Sequence, residues 1–272
     1  MKKKINLSTL ILILVLLAGL SLLLYPPVSN WWNATRSTGA IVEYTEKIDT
    51  MDREEARAAR QAAVEYNRAL AGRPSGQALN EAQKAHYDSI LDVTGTGVMG
   101  YVEIPSIDVS LPIHHGTEKT VLQVAVGHVD WTSFPVGGES THSVLSAHRG
   151  LPSAKLFSDL DEVKVGDLFT LHILDETLTY QVDQILTVEP QETQELYIEK
   201  GEDLCTLVTC TPYGINTHRL LVRGHRVENL PDDFIYVSAE AIPVDPLLVA
   251  PLVAAPILAG LFVLVMVKNR KK

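Results

Sequence analysis

An uncharged apolar run stands near each end of the chain, and the two confine any soluble domain to the residues between them. The first, residues 5–25, follows Lys2, Lys3 and Lys4; the second, residues 247–267, precedes Lys268, Arg270, Lys271 and Lys272. Each has the length of about 20 residues that an α-helix needs to cross a bilayer. Pro251 and Pro256 leave room for a kink in the second. A cleaved signal peptide is the alternative for the first, but such peptides have a shorter apolar core and a small-residue cleavage site. Here the run leads into Pro26, Pro27, Trp31 and Trp32, a sequence suited to the aromatic belt at a membrane interface. An uncleaved anchor is therefore expected. With basic residues on the terminal side of both runs, the positive-inside tendency puts both termini in the cytoplasm and the middle outside it.

Of the 272 residues, more than enough remain between the runs for a domain with its own core. The formal net charge of -10 argues against nucleic acid as a partner, since that needs a basic surface. Two cysteines in a chain of this length do not make a disulfide framework. Residues 41–71 read as one helix, with Ile48, Met51, Ala58, Ala62, Tyr66 and Ala69 on a single face and Gly72 and Pro74 ending it. A solvated stalk is the expected role. From Met99 the pattern changes to short strands punctuated by turn residues. Phe169, Leu171 and Ile173 alternate with polar residues, as do Leu178, Tyr180 and Val182 after a turn at Asp175 and Glu176, which reads as a hairpin. Only residues 154–160 look helical in this region. The whole points to an all-β barrel or sandwich.

The chemistry is concentrated at strand ends. In Thr206-Leu207-Val208-Thr209-Cys210-Thr211-Pro212-Tyr213-Gly214 a β-type run delivers a cysteine to an open turn. Cysteines in strands are in general more often structural, but a hairpin here returns Arg219 beside Cys210. A guanidinium at that place favours the thiolate and can hold a developing oxyanion. His148 ends another strand in Ser146-Ala147-His148-Arg149-Gly150-Leu151-Pro152. A Cys, a His and an Arg at one end of a barrel form a set for thiol-mediated acyl transfer. Cys205 is too far along the strand for a disulfide with Cys210 and reads as a small buried hydrophobe. His142 and His218 are expected to pack or hydrogen-bond, and Arg223 and Arg226 to serve as structural or surface charges. His114-His115 lacks the spacing of a metal pair, so neither metal nor cofactor is expected.

These residues carry a family resemblance. Thr206-Leu207-Val208-Thr209-Cys210 resembles the sortase signature Thr-Leu-x-Thr-Cys. Gly100-Tyr101-Val102-Glu103-Ile104-Pro105, Leu111-Pro112-Ile113, His114-His115-Gly116-Thr117 and Gly137-Gly138-Glu139-Ser140-Thr141-His142-Ser143 agree with it. So do His148-Arg149-Gly150-Leu151-Pro152-Ser153-Ala154-Lys155-Leu156-Phe157 and the stretch 209–226. Over residues 98–228 the chain is similar to class C, pilin-polymerising sortases, in which an anchor at each end is common. The resemblance implies a closed β-barrel with short helices, preceded by a helical segment and flanked by two membrane helices. The layout expected is a cytoplasmic 1–4, a span at 5–25, a stalk and possible lid at 26–97, the catalytic barrel at 98–228, a linker at 229–246, a second span at 247–267 and a basic cytoplasmic tail at 268–272.

It also implies roles. Cys210 is the nucleophile on the Thr-Gly bond of a Leu-Pro-x-Thr-Gly sorting signal borne by pilin or surface proteins. His148 is general acid and then base, Arg219 holds the oxyanion or positions the peptide, and a pilin lysine is the acceptor. One departure stands out: pilus sortases often carry an Asp-Pro-aromatic lid before the barrel, and residues 72–92 offer only Arg73-Pro74-Ser75 in that place. Two other readings remain open. A housekeeping sortase would use a peptidoglycan amine as acceptor. A non-enzymatic surface protein would carry its own sorting signal before the terminal apolar run, where Leu230-Pro231-Asp232-Asp233-Phe234 lacks the Thr and the Gly.

Overall fold

A computed structural model describes residues 7–72, 76–229 and 260. The second apolar run expected to span a membrane and the basic tail lie outside the described residues, apart from Gly260. Two compact units divide what is described, one ending at Trp32 and the other beginning at Asn33. Helix α1 (Leu7–Thr50) opens on the Leu- and Ile-rich run and continues through Pro26 and Pro27. Among the described residues it is the one helix long and apolar enough to cross a membrane. Its apolar part is exposed, Leu22, Trp31 and Trp32 included, as suits a surface meant for lipid.

The helix expected over 41–71 is two helices. The chain breaks after Thr50, and the Asp52 carboxylate accepts from Glu54 N at 3.1 Å to start α2 (Arg53–Leu70). That restart shifts the helical phase. Ala56, Ala63, Tyr66, Asn67 and Leu70 are buried, whereas Ala58, Ala62 and Ala69 are exposed. The stalk reading therefore fails for this stretch: Ala63, Tyr66 and Leu70 belong to the same apolar core as the barrel. Asn67 fixes the contact, its Nδ2 donating to Phe134 O at 3.0 Å and its Oδ1 accepting from Phe134 N at 2.8 Å.

Helix α3 (Glu81–Ser89) begins with a capping box between Asn80 and Gln83 and packs through Tyr87, which is fully buried. The Tyr87 hydroxyl accepts from Gly116 N at 3.0 Å and lies 2.9 Å from His128 Nδ1. Its ring stacks on His128 and Phe134, with centroids 5.7 and 5.1 Å away. The possible lid at residues 72–92 falls in this stretch. Residues 73–75 lie outside the described residues, and the next residue, Gly76, sits against the Tyr197 ring.

Eight strands among the described residues close into a barrel: β1 (Val98–Ile104), β2 (Val109–His115), β3 (Val126–His128), β4 (Thr141–Ser146), β5 (Leu168–Ile173), β6 (Glu176–Val188), β7 (Asp203–Thr211) and β8 (His218–Val227). Their order is β1-β2-β3-β4-β7-β8-β6-β5, with β5 pairing back to β1. The pairs β2–β3 and β4–β7 are parallel and the rest antiparallel. Val102, Ile113, Leu145, Phe169, Leu171, Cys205, Leu207 and Val222 fill the interior. The predicted hairpin is β5–β6, but it turns at Leu174 and Asp175, with Leu174 in the left-handed region (φ 54°). The helix predicted at 154–160 does not form. Phe157 N bonds to His148 O at 3.2 Å and Leu156 is left-handed, so the segment folds back on the end of β4 as successive turns. A short helix, α4 (Lys119–Leu122), arises instead between β2 and β3.

Candidate active site

Side-chain alternation along three neighbouring strands sets the site. In β7, Cys205 and Leu207 point into the barrel, so Val208 and Cys210 point out. In β8, Leu220 and Val222 point in, so Arg219 and Leu221 point out. In β4, Leu145 points in and Val144 out. Cys210 and Arg219 are paired residues of the antiparallel β7–β8 ladder. Directly opposed side chains in such a ladder have Cβ atoms about 5 Å apart. The parallel β4–β7 register pairs Ser146 with Val208, and Ala147 N continues it to Val208 O at 3.1 Å. One step further along the two chains stand His148 and Cys210. Thr209 Oγ1 locks that step by donating to Ala147 O at 2.9 Å.

Of the three residues singled out from sequence, Cys210 and Arg219 therefore share the outer face of one end of the sheet, and His148 lies two residues past the end of β4. Cys210 is half-buried, and both cysteines are free thiols. Burial lowers the pKa of His148 from the ordinary imidazole value, favouring its neutral form. Arg219 Nη1 donates to two carbonyls of the β7–β8 loop region, His218 O at 3.1 Å and Asn216 O at 3.4 Å. These bonds tie the guanidinium to the turn that Cys210 enters.

Below Cys210 and Arg219, where a barrel's outer face is ordinarily polar, lies a buried apolar cluster of Val144, Val208 and Leu221, with Val129, Leu186, Val188 and Leu196 packed against it. The β6–β7 connection walls it. Leu196 packs on the cluster, and the next residue is held by His142 Nδ1, 2.9 Å from Tyr197 O. Arg223 Nη1 donates to Glu199 at 2.8 Å and its other nitrogens bind Asp183. Burial lowers the pKa of His142, favouring the neutral imidazole, and its Nε2 lies 2.7 Å from Thr206 Oγ1. Cys205 is wholly buried, and burial pushes its thiol well up. Among the described residues no cluster of His, Cys, Asp or Glu is arranged to hold a metal ion.

Sequence reasoning missed the cluster and its wall. The signal was present in Val144, Val208 and Leu221, apolar residues on the outward parity of strands whose inward parity is also apolar. It missed Arg149 as well, whose Nη2 binds Asp161 at 2.5 Å and whose guanidinium lies 5.6 Å from the Tyr213 ring centroid.

Residues 102–227 match the sortase domain family. The chain is 51% identical to sortase C1 of Streptococcus agalactiae, with a TM-score of 0.69 over 70% of this chain and 99% of that one. It is 46% identical to sortase C of Clostridium perfringens, solved with the C-terminal cell wall sorting motif, with a TM-score of 0.61 over 71% and 100% of the two chains. Sortase A of Streptococcus agalactiae is 26% identical over 206 residues, 74% of this chain and 77% of its own. Barrel, strand-end cysteine and these likenesses define a cysteine transpeptidase. The chain belongs to the sortase family, with class C sortases as its structural neighbours.

Proposed function

We propose that this sortase cleaves a Leu-Pro-x-Thr-Gly-type signal between Thr and Gly and joins pilin subunits through a lysine amine, working outside the cytoplasm from a membrane anchor. The observation that carries the reading is the cross-strand pair of Cys210 and Arg219, with His148 two residues past the end of the adjoining strand. On this reading the pair receives the Thr carbonyl of the signal. The class C neighbours support the choice of pilin as substrate.

The Cys210 thiolate attacks the Thr carbonyl, and Arg219 stabilises the oxyanion. As the tetrahedral centre collapses, the Thr-Gly C–N bond breaks and His148 gives its proton to the leaving glycine amine. A thioester remains on Cys210. The incoming lysine amine loses a proton to neutral His148 and attacks the thioester, the C–S bond breaks, and an isopeptide bond forms. Water competes for the thioester, so exclusion of water decides the yield of transfer over hydrolysis.

The acceptor is tested by supplying the full-length enzyme in detergent with a sorting-signal peptide and, in turn, a lysine-bearing pilin and lipid II. A lysine-linked product is expected to dominate. Preferential transfer to lipid II would replace this reading with the housekeeping one.

A further inference from the structure

None of the chemistry above uses the residue that follows His148. Arg149 has a side chain only 8% exposed, yet it touches both loops that meet at the site. Its Nη2 donates to Asp161 Oδ2 at 2.5 Å, beyond the turns that close on His148 O. Its Nη1 reaches Thr211 Oγ1 at 3.5 Å, the residue directly after Cys210. Its guanidinium faces the ring of Tyr213, which is 62% exposed in the β7–β8 loop. The two loops are in close contact there, for a Cβ on Gly150 would come within 3.1 Å of that ring. The His148 side is braced separately, with Gly150 N donating to Ser158 Oγ at 3.1 Å.

Arg149 is poorly suited to a purely stabilising role. Its Nε is buried and has no acceptor among the described residues. A buried charge with an unmade bond stabilises a corner less well than an apolar side chain of the same size. What the planar fork provides is direction, because it can meet a carboxylate, a hydroxyl and a ring face at once.

We infer that Arg149 is a positioning residue for the transpeptidation, clamping the Thr211–Tyr213 turn to Asp161 and so fixing the approach of His148 to Cys210. The inference rests on the roles given above to Cys210 and His148. Misplacing reacting groups by a fraction of an ångström costs rate rather than binding. The effect therefore belongs in kcat.

The test uses the full-length enzyme in detergent with Arg149→Met, Arg149→Lys, Tyr213→Leu and Asp161→Asn. Two readouts are taken: kcat and KM for a Leu-Pro-x-Thr-Gly peptide with a lysine amine, and the rate of iodoacetamide alkylation of Cys210, resolved from Cys205 by peptide mapping. Arg149→Met is expected to lower kcat about tenfold or more with KM nearly unchanged, and Arg149→Lys to recover only part of the loss. Cys210 alkylation in Arg149→Met is expected to slow, because a loosened Thr211–Tyr213 turn no longer holds the thiol against the Arg219 guanidinium across the ladder. Parental kcat in Arg149→Met, or a loss confined to KM, overturns the inference. If Arg149→Met does not fold, the exposed partners decide: reduced kcat in Tyr213→Leu and Asp161→Asn supports the clamp, and parental kcat in both overturns it. If the parent enzyme does not turn over the peptide, the functional reading fails by itself. Alkylation then decides the clamp, with slower reaction in Arg149→Met supporting it and an unchanged rate overturning it.

Discussion

Cys210 and Arg219 face each other across paired strands, so the sheet itself delivers the cation to the thiol. His148 lies two residues past the end of the neighbouring parallel strand, and burial lowers its pKa, favouring the neutral form. In the proposed mechanism attack needs an ionised Cys210 and departure of the amine needs a protonated His148, so only the joint state would react. The dependence of kcat/KM on pH is therefore bell-shaped, with both limbs belonging to the coupled pair. Because burial lowers His148, the acid limb is expected below the ordinary imidazole value of about 6.5. An acid limb above that value would contradict the burial argument. Arg219→Lys keeps the charge but loses the fork that holds the loop carbonyls and can hold an oxyanion. His148→Ala and Arg219→Lys are each expected to lower kcat/KM by roughly a hundredfold or more, measured with a sorting-signal peptide. Parental turnover in Arg219→Lys would remove Arg219 from the mechanism while leaving Cys210 in it.

Beside its apolar contacts, helix α2 is fixed to the barrel by a buried amide. Asn67 spans both the N–H and the C=O of Phe134, and both contacts are buried. Asn67→Ala strips both backbone groups of their partner at once. The expected loss is about 2–4 kcal/mol, on the scale of ~1–3 kcal/mol for each unmet buried group. Denaturant titration measures it, and a loss within about 0.5 kcal/mol, as at an ordinary surface position, would show that the amide does not hold the helix. The same element shows what sequence can convey. The β7–β8 hairpin was readable because Arg219 lies nine residues from Cys210 and the turn residues stand between them. The strand alternation of β5 and β6 was readable because it is local. The phase of α2 was not, since it depends on a cap at Asp52 and on a partner 67 residues away. Nor was the clamp at Arg149, since Tyr213 reaches it only because β4 and β7 lie side by side in parallel, an outcome of the whole barrel's topology.

At the scale of the molecule, acid stability is set by imidazoles buried neutral. His128 is fully buried against the rings of Tyr87 and Phe134, its Nε2 donating to Ser133 O at 2.8 Å, and burial pushes its pKa down to about 3. Its folded value is below its unfolded value, so below about pH 6.5 the unfolded chain takes up a proton that the native one refuses. Stability is thus lost as pH falls from about 6.5 toward 3, by up to ~1.4 kcal/mol per pH unit for this group. Burial lowers His142 and His114 too, and they act in the same direction. Asp130 and Asp203, raised by burial, act oppositely as they titrate at lower pH. Denaturant titrations between pH 6.5 and 5 should show stability falling with pH, and less steeply in His128→Gln; an equal slope in the variant would contradict the assignment. The central claim concerns Cys210, and the covalent intermediate tests it most directly. Full-length enzyme mixed with a Leu-Pro-x-Thr-Gly peptide, quenched in acid, digested and mapped by mass spectrometry should give a Cys210 fragment heavier by the acyl group ending in Thr. The adduct should be removed by hydroxylamine and be absent from Cys210→Ala. An adduct on Cys205, or parental turnover in Cys210→Ala, would contradict the account.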